Sequence, residues 1–333
     1  MKILFLKIAI ATGLIYYVAS SGKIDMGLLA RSFEHPVLWV VAISILVGNI
    51  IFTAYRWKMI LENDNHKKRY PLLSITRFTW IGALFSSILP GVVSGDLIKI
   101  LYMRQLDRNL SKTKLVTSIL LDRILGLVGL LILLGISLVL NREQFMNGGE
   151  DLRELFFFDL ILFAGALCFI ATLFLPRKLQ HFLSDVVKKM PLLGKKISEV
   201  LEVVFSLGKK KSFLFSLVGV SMIAQVLSIF SFYLLSSNFY EYAEGAVSKM
   251  SFLENLSIIP VGLISIAIPI TPSGLGVGHA MFDKLFTYFG VTNGASLFNL
   301  YFLAFVIINL LGLIPYLTSP KKVDTTQALE DSF

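Results

Sequence analysis

Residues 88–96 read Ile-Leu-Pro-Gly-Val-Val-Ser-Gly-Asp and break the apolar stretch Leu72–Ile100, while residues 270–278, Ile-Thr-Pro-Ser-Gly-Leu-Gly-Val-Gly, break a second stretch, Phe252–Phe289. A helix needs about 20 predominantly apolar residues to cross the hydrocarbon core of a bilayer. With proline and glycine at the middle, neither half of either stretch is a comfortable span. Uninterrupted runs of sufficient length lie at Ile3–Ser20, Val37–Tyr55, Leu115–Leu140, Leu155–Leu175, Phe213–Ser236 and Leu297–Thr318. The reading of the two broken stretches therefore decides the topology.

Loop charge supplies that reading, because cytoplasmic loops of membrane proteins carry an excess of Lys and Arg. Arg56–Pro71 holds five such residues, Lys99–Lys114 five and Pro176–Lys211 nine, against two in Ser21–Pro36, two in Asn141–Glu154 and one in Ser237–Ser251. Both loops flanking the first broken stretch belong inside, so residues 72–100 enter and leave from the cytoplasmic face as a hairpin. The second, residues 252–289, lies between a base-poor loop and a last helix that ends inside, so it enters and leaves from the opposite face. The expected fold is an all-α polytopic membrane protein of about six full spans and two opposed re-entrant hairpins. Paired interrupted helices in two halves point to an inverted repeat with a site near the midplane. Residues 1–318 are expected to form one membrane domain, with both termini cytoplasmic, an uncleaved N-terminal anchor and a disordered tail over 319–333. The placement follows as the cytoplasmic, inner membrane.

Composition agrees. The 333-residue chain is 55% hydrophobic and 16% charged, with a mean hydropathy of +0.75, where soluble domains carry about 25% charged residues. A single cysteine, Cys168, excludes an intrachain disulfide and a cysteine-built metal site. The net charge of +9 sits between the apolar segments, which argues for a membrane surface and against nucleic acid. In Pro176–Lys211, Phe182, Val186, Val187, Ile197, Val200, Leu201 and Val204 recur at helical spacing among lysines. Two readings are open there: an amphipathic, basic segment held on anionic headgroups, or a loop whose charge only sets orientation.

Charges within apolar spans are costly and need a partner or a function. Asp122 and Arg123 lie within Leu115–Leu140 and point about 100° apart on a helix, so they do not pair on one face. Arg123 needs a partner from elsewhere, and Asp96, just past the first break, is the candidate. The pair reads either as a structural clasp or as a phosphate anchor, the guanidinium fork taking a lipid headgroup. The Gly91–Gly95 turn opens a helix whose N-terminus favours an anion, although Asp96 itself satisfies the same donors if it caps the helix. Lys99 sits where a headgroup arrives, or snorkels as interfacial lysines do. In the second break the bare backbone of Pro272, Ser273, Gly274 and Gly276 opens a helix carrying His279, with Asp283 four residues on, which reads as a proton relay or as a structural pair. No HExxH, Walker loop, GxSxG or zinc spacing is present, and neither catalysis nor a cofactor is expected.

The segments LPGVVSGDLIKILYMRQL (residues 89–106), SILLDRILGL (residues 118–127) and IPITPSGLGVGHAMF (residues 268–282), in this order, resemble the flippase-like membrane domain of the lysylphosphatidylglycerol synthase family. The resemblance runs from the Tyr55-Arg56-Trp57 region to the last helix. It implies a multi-spanning inner-membrane protein that moves lipids between leaflets, relatives acting on aminoacylated phospholipid, polyprenyl-linked sugars or hopanoid pathways. The matching positions are Pro90, Gly91, Gly95 and Asp96, then Asp122 and Arg123, then Pro272, Gly274, Leu275 and Gly276. Relatives commonly have Gly-Gly-Asp and then Arg where this chain has Ser94-Gly95-Asp96 and Lys99, and Glu where it has His279, so a role of that carboxylate is not carried over. The soluble synthase half that some relatives add is not expected. The leading expectation is a translocase of an anionic or aminoacylated phospholipid or a polyprenyl-phosphate-linked lipid. The alternatives are a non-transporting partner that docks a separately encoded lipid synthase or glycosyltransferase, and, lower, a membrane-embedded transferase.

Overall fold

The computed structural model describes residues 26–63, 69–88, 94–189, 194, 198, 201, 205, 208, 210–243, 250–267 and 274–319. The expected first span, the 319–333 tail beyond its first residue, and Pro90, Gly91, Pro272 and Ser273 lie outside these. The described residues are nearly all helical, apart from one isolated bridge between Tyr242 and Val291. In order they form α1 (Met26–Phe33), α2 (Pro36–Glu62), α3 (Leu72–Ile88), α4 (Ser94–Leu106), α5 (Lys112–Leu140), α6 (Arg142–Asn147) and α7 (Glu150–Leu173). Then follow α8 (Arg177–Lys188), α9 (Lys211–Ser236, continued by a short 3₁₀ turn), α10 (Phe252–Ala267), α11 (Val277–Thr287), α12 (Gly294–Leu310) and α13 (Leu313–Thr318).

Among the described residues five segments, α2, α5, α7, α9 and α12 with α13, are long and apolar enough to cross a membrane. Their outer faces are apolar: Val37, Val139, Ile161 and Phe215 are 71, 74, 70 and 67% exposed, a surface that suits acyl chains and not water. The helices on either side of the breaks are shorter, 17 and 13 residues for α3 and α4, 16 and 11 for α10 and α11. At about 1.5 Å per residue none of the four spans a core of about 30 Å. Sequence punctuation explains several ends. Pro36 starts α2 at a position where its missing N–H costs nothing. Ser111 caps α5, its hydroxyl accepting from the Lys114 N–H at 3.2 Å.

Each short pair folds back on itself. Phe78 meets Tyr102 (centroids 5.4 Å apart), while Gly82, one turn on, faces Lys99 and Gly95. Rising numbers on α3 thus meet falling numbers on α4, the signature of an antiparallel hairpin. A Cβ on Gly95 would overlap the Gly82 carbonyl oxygen and the Ser86 hydroxyl, so only glycine permits this approach. In the second pair Gly262 faces Phe282 and Ile266 faces Gly274, again antiparallel. Gly274 and Gly276 take φ of +74° and +80°, the left-handed region that glycine occupies without strain.

The hairpins open at opposite ends. At the end rich in Lys and Arg, the Tyr70 N–H donates to Glu62 at 2.7 Å, the Tyr70 hydroxyl donates to Asp107 at 2.7 Å, and Lys210 donates to the Asn63 carbonyl at 3.0 Å. Burial, and then the Asp107 carboxylate, push the Tyr70 hydroxyl well above the usual phenol range. The end of α2, both ends of the first hairpin and the start of α9 therefore share this basic end. At the other end Asn141 donates to the Leu253 carbonyl at 2.8 Å, Tyr240 donates to Asn255 at 2.9 Å and Asn293 donates to the Phe239 carbonyl at 2.8 Å. Those bonds gather the end of α5, the end of α9, both ends of the second hairpin and the start of α12.

Two units of one design result, α2–hairpin–α5 and α9–hairpin–α12, running in opposite senses. Contacts obey the exchange: α2 packs on α9, the first hairpin's α3 on α12, and the second hairpin's α10 on α5. One detail departs from the sequence reading. The predicted Val37–Tyr55 span continues to Glu62, so Arg56 and Trp57 are not loop residues but buried helical ones, 4 and 0% exposed. In the basic segment α8 forms as an amphipathic helix, with Leu179, Phe182 and Val186 exposed among Lys178, Lys188 and Lys189.

Candidate functional site

Polar chemistry gathers where α2, α4, α5 and α9 meet. Asp96 lies in the first turn of α4, where the helix N-terminus favours a negative side chain. Its carboxylate reaches across to α5: Oδ2 accepts from Arg123 Nε at 2.7 Å and lies 2.5 Å from Nη2, while Oδ1 lies 3.9 Å from Lys99 Nζ. The expected partner of Arg123 is therefore the observed one. The Arg123 side chain is 42% exposed and that of Asp96 16%, so the pair sits at a surface and not in a dry core.

Asp122 turns the other way. Its Oδ1 accepts from Arg56 Nε at 2.7 Å, and Arg56 Nη1 donates to the Ser221 hydroxyl at 3.1 Å. Both charges are buried, 4% exposed for Arg56 and 5% for Asp122. Gly126, one turn beyond Asp122, leaves room for the guanidinium, and its carbonyl accepts from Gln225 at 3.1 Å. Arg56 was not singled out from sequence as a site residue, since it read as the first residue of a basic loop. The signal was the apolar continuation past it, Trp57, Met59, Ile60 and Leu61, in helical continuity with the span.

Of the two readings open for Lys99, one falls. It does not snorkel: it is 7% exposed, with its ammonium 4.6 Å from the centre of the Trp57 ring. That indole also donates to Ser118 at 3.0 Å, which fixes the ring plane under the lysine. Three cations, Arg56, Lys99 and Arg123, thus face two carboxylates, Asp96 and Asp122, with Gly95 holding α4 close against α3. Such a cluster has geometry for an oxyanion: a planar fork at a surface, backed by a desolvated ammonium.

The remaining nominated residues form a separate group on the second hairpin. His279 is 2% exposed; its Nδ1 accepts from the Gly276 N–H at 3.3 Å, so Nε2 carries the proton and donates to Asn299 Oδ1 at 2.6 Å. Both ring nitrogens are committed to the break and to α12. The His279–Asp283 relay envisaged from their spacing is therefore not how the ring is used. His279 fastens the glycine turn, with Gly274 and Gly276 supplying the backbone shape.

Comparison with known proteins bears on the whole chain. Residues 4–316 match the profile of the lysylphosphatidylglycerol synthase TM region. A UPF0104 membrane protein of Pyrococcus horikoshii is 24% identical over 276 residues, covering 76% of this chain and 77% of the relative.

Proposed function

The chain belongs to the family of the lysylphosphatidylglycerol synthase TM region, and on that premise we propose that it is a lipid translocase of the cytoplasmic membrane, without catalytic activity of its own. The basic end faces the cytoplasm. An anionic headgroup, that of an anionic or aminoacylated phospholipid or of a polyprenyl-phosphate-linked lipid, replaces Asp96 on Arg123, while acyl chains stay in lipid along the hairpin. The supporting observation is the Arg123–Asp96 pair, an ion pair inside a membrane domain that is nonetheless partly exposed. A phosphate oxygen offers the guanidinium the same charge-assisted bonds that the carboxylate does, so the exchange costs little. Lys99 adds a second positive charge to the same carboxylate and is left facing the headgroup when Asp96 swings away. Access alternates by rocking one α–hairpin–α unit against the other across the α2–α9 contact.

The test is lipid movement in reconstituted vesicles with fluorescent and aminoacylated phospholipid. Wild-type protein equilibrates the probe between leaflets, and Arg123→Ala abolishes it; movement unchanged in Arg123→Ala removes the assigned anchor. A second reading has one observation in its favour, the exposed apolar row Leu179, Phe182 and Val186 on α8 beside lysines. That surface suits docking of a separately encoded lipid-modifying enzyme, and in that case substitutions on α8 abolish function while lipid movement by the purified protein persists.

A further inference from the structure

Asp159 lies nine residues into α7, roughly 13 Å along a helix rising about 1.5 Å per residue. It is 0% exposed, and neither carboxylate oxygen makes a hydrogen bond among the described residues. Its neighbours in sequence, Phe157, Phe158, Leu160 and Ile161, are 54, 50, 40 and 70% exposed and present the lipid face. Asp159 is turned inward, on the side by which α7 packs against α5 and α6. There the Phe163 ring covers Gly135 so closely that a Cβ would not fit.

Among the described residues, no countercharge comes from the elements packed on α7. Between Ile124 and Leu140, α5 has no charged or titratable side chain, and its Ser137 is engaged with Ser257 and Leu253 of α10. On α6 the charges are Arg142 and Glu143, and on α7 itself Glu150, Asp151, Arg153 and Glu154, all exposed at the base-poor end. An ionised carboxylate left unpaired in such a place is among the costliest arrangements a protein can hold. A metal cation needs several oxygen ligands, and the described residues offer no grouping of three acidic, His or Cys side chains. A proton is the one cation that a lone carboxylate binds unaided.

We propose that Asp159 is a proton-binding site, and that its loading and unloading drives the rocking of the first unit. Coupling to transport rests on the translocase reading; proton binding does not. When the proton leaves, the charged form demands water or a cationic partner, so the close-packed α5–α7 contact opens. Since α5 also carries Asp122 and Arg123, opening one end of that helix moves the headgroup cluster at the other. The proton enters from one aqueous side and departs to the other, and nothing is oxidised or reduced.

Two measurements on the reconstituted full chain test this. Infrared difference spectra of wild type against Asp159→Asn are expected to show a protonated carboxylic-acid band that shifts in D₂O and disappears as pH is raised. Absence of that band from wild type at every pH overturns the proposal. In the second measurement a pH gradient is imposed across the vesicles. One unit is worth a factor of about ten per proton carried, so wild type is expected to accumulate labelled lipid in one leaflet by up to that factor. Asp159→Asn, neutral and isosteric with the protonated acid, is expected to equilibrate lipid with no response to the gradient, and Asp159→Glu to retain the response. A gradient response persisting in Asp159→Asn overturns the proposal. If wild type moves no lipid under any condition, the translocase reading fails and the infrared measurement alone decides whether Asp159 binds a proton.

Discussion

The two hairpins share a topology and differ in what holds the returning limb. In the second, α11 is fastened by aromatic stacking: Phe282 lies 5.1 Å from Phe298 with the rings 12° apart and 4.8 Å from Phe232, and Phe282, Phe286 and Phe298 are fully buried. Its base is stitched to α5, α6 and α9 by a polar network in which Ser257, Glu254 and Asn255 are all satisfied. In the first, α4 meets α5 partly through apolar packing, Met103 and Ile100 with Leu115 and Ile119, and partly through charge, Asp96 to Arg123, and it lays Lys99 over Trp57. Dispersion contacts between fitted rings have no substitute in a ligand, whereas a carboxylate on arginine can be replaced by a phosphate. One repeat is built as a fixed wall; in the function proposed above, the other is a limb whose attachment a headgroup takes over.

The largest effect should come from breaking the wall. Phe282→Ala removes a buried ring from between Phe232 and Phe298 and is expected to cost about 3–5 kcal/mol, read as a large drop in thermal midpoint in nanodiscs. A loss below about 1 kcal/mol would mean that the second hairpin is no more fixed than the first. Arg56→Met is expected to be nearly as damaging, about 3–5 kcal/mol, because it strands the Asp122 carboxylate at 5% exposure. The double variant Arg56→Met with Asp122→Leu should regain most of that stability, since apolar replacement of a buried pair is often neutral. Failure of the double variant to recover would show that the pair does more than fill space.

Why the hairpins were legible and the buried charges less so follows from range. Loop charge and a proline break are local in the chain, so residues 72–100 and 252–289 declared their orientation without knowledge of neighbours. The Arg123–Asp96 pair was readable because Arg123 stands inside an apolar run, where a charge needs a partner, and Asp96 is the acid nearest the break. Arg56 was missed because the boundary of α2 was drawn at the last apolar residue, although the helix continues to Glu62. Lys99 is an interfacial lysine by position and a buried one only because Trp57, on another helix, lies beneath it. Asp159 sits inside an apolar run that a window average passes as a span, and only packing shows that its side chain is turned inward with no hydrogen-bond partner among the described residues. His279 and Asp283 share a helical face, but Asn299 on α12 takes the ring.

A middle-sized effect is expected at that ring. His279→Ala leaves the Gly276 N–H and the Asn299 amide oxygen without partners in a buried place, at about 1–3 kcal/mol. The loss should appear as faster hydrogen exchange in α11 with α4 unchanged. Equal loosening of both hairpins would remove the independence that the comparison assumes.

The smallest effect on stability, and the sharpest on mechanism, belongs to Asp96→Asn. The partner side chain is 42% exposed, so solvent screens the pair and its loss should cost below about 1 kcal/mol. If the pair is only a clasp, Asp96→Asn and Arg123→Ala remove the same bond and change the protein in the same direction. If it is a resting state that a headgroup displaces, the two variants diverge. Without the Asp96 carboxylate the Arg123 fork and Lys99 lose their internal anion, and more anionic phospholipid should remain bound through purification, as native mass spectrometry reads. Without the Arg123 guanidinium the carboxylate repels the same headgroup and less should remain. Lys in place of Arg123 should fall between, keeping the charge but not the planar fork. Equal lipid retention in Asp96→Asn and Arg123→Ala would return the first hairpin to the status of the second, a wall held by a different kind of bond.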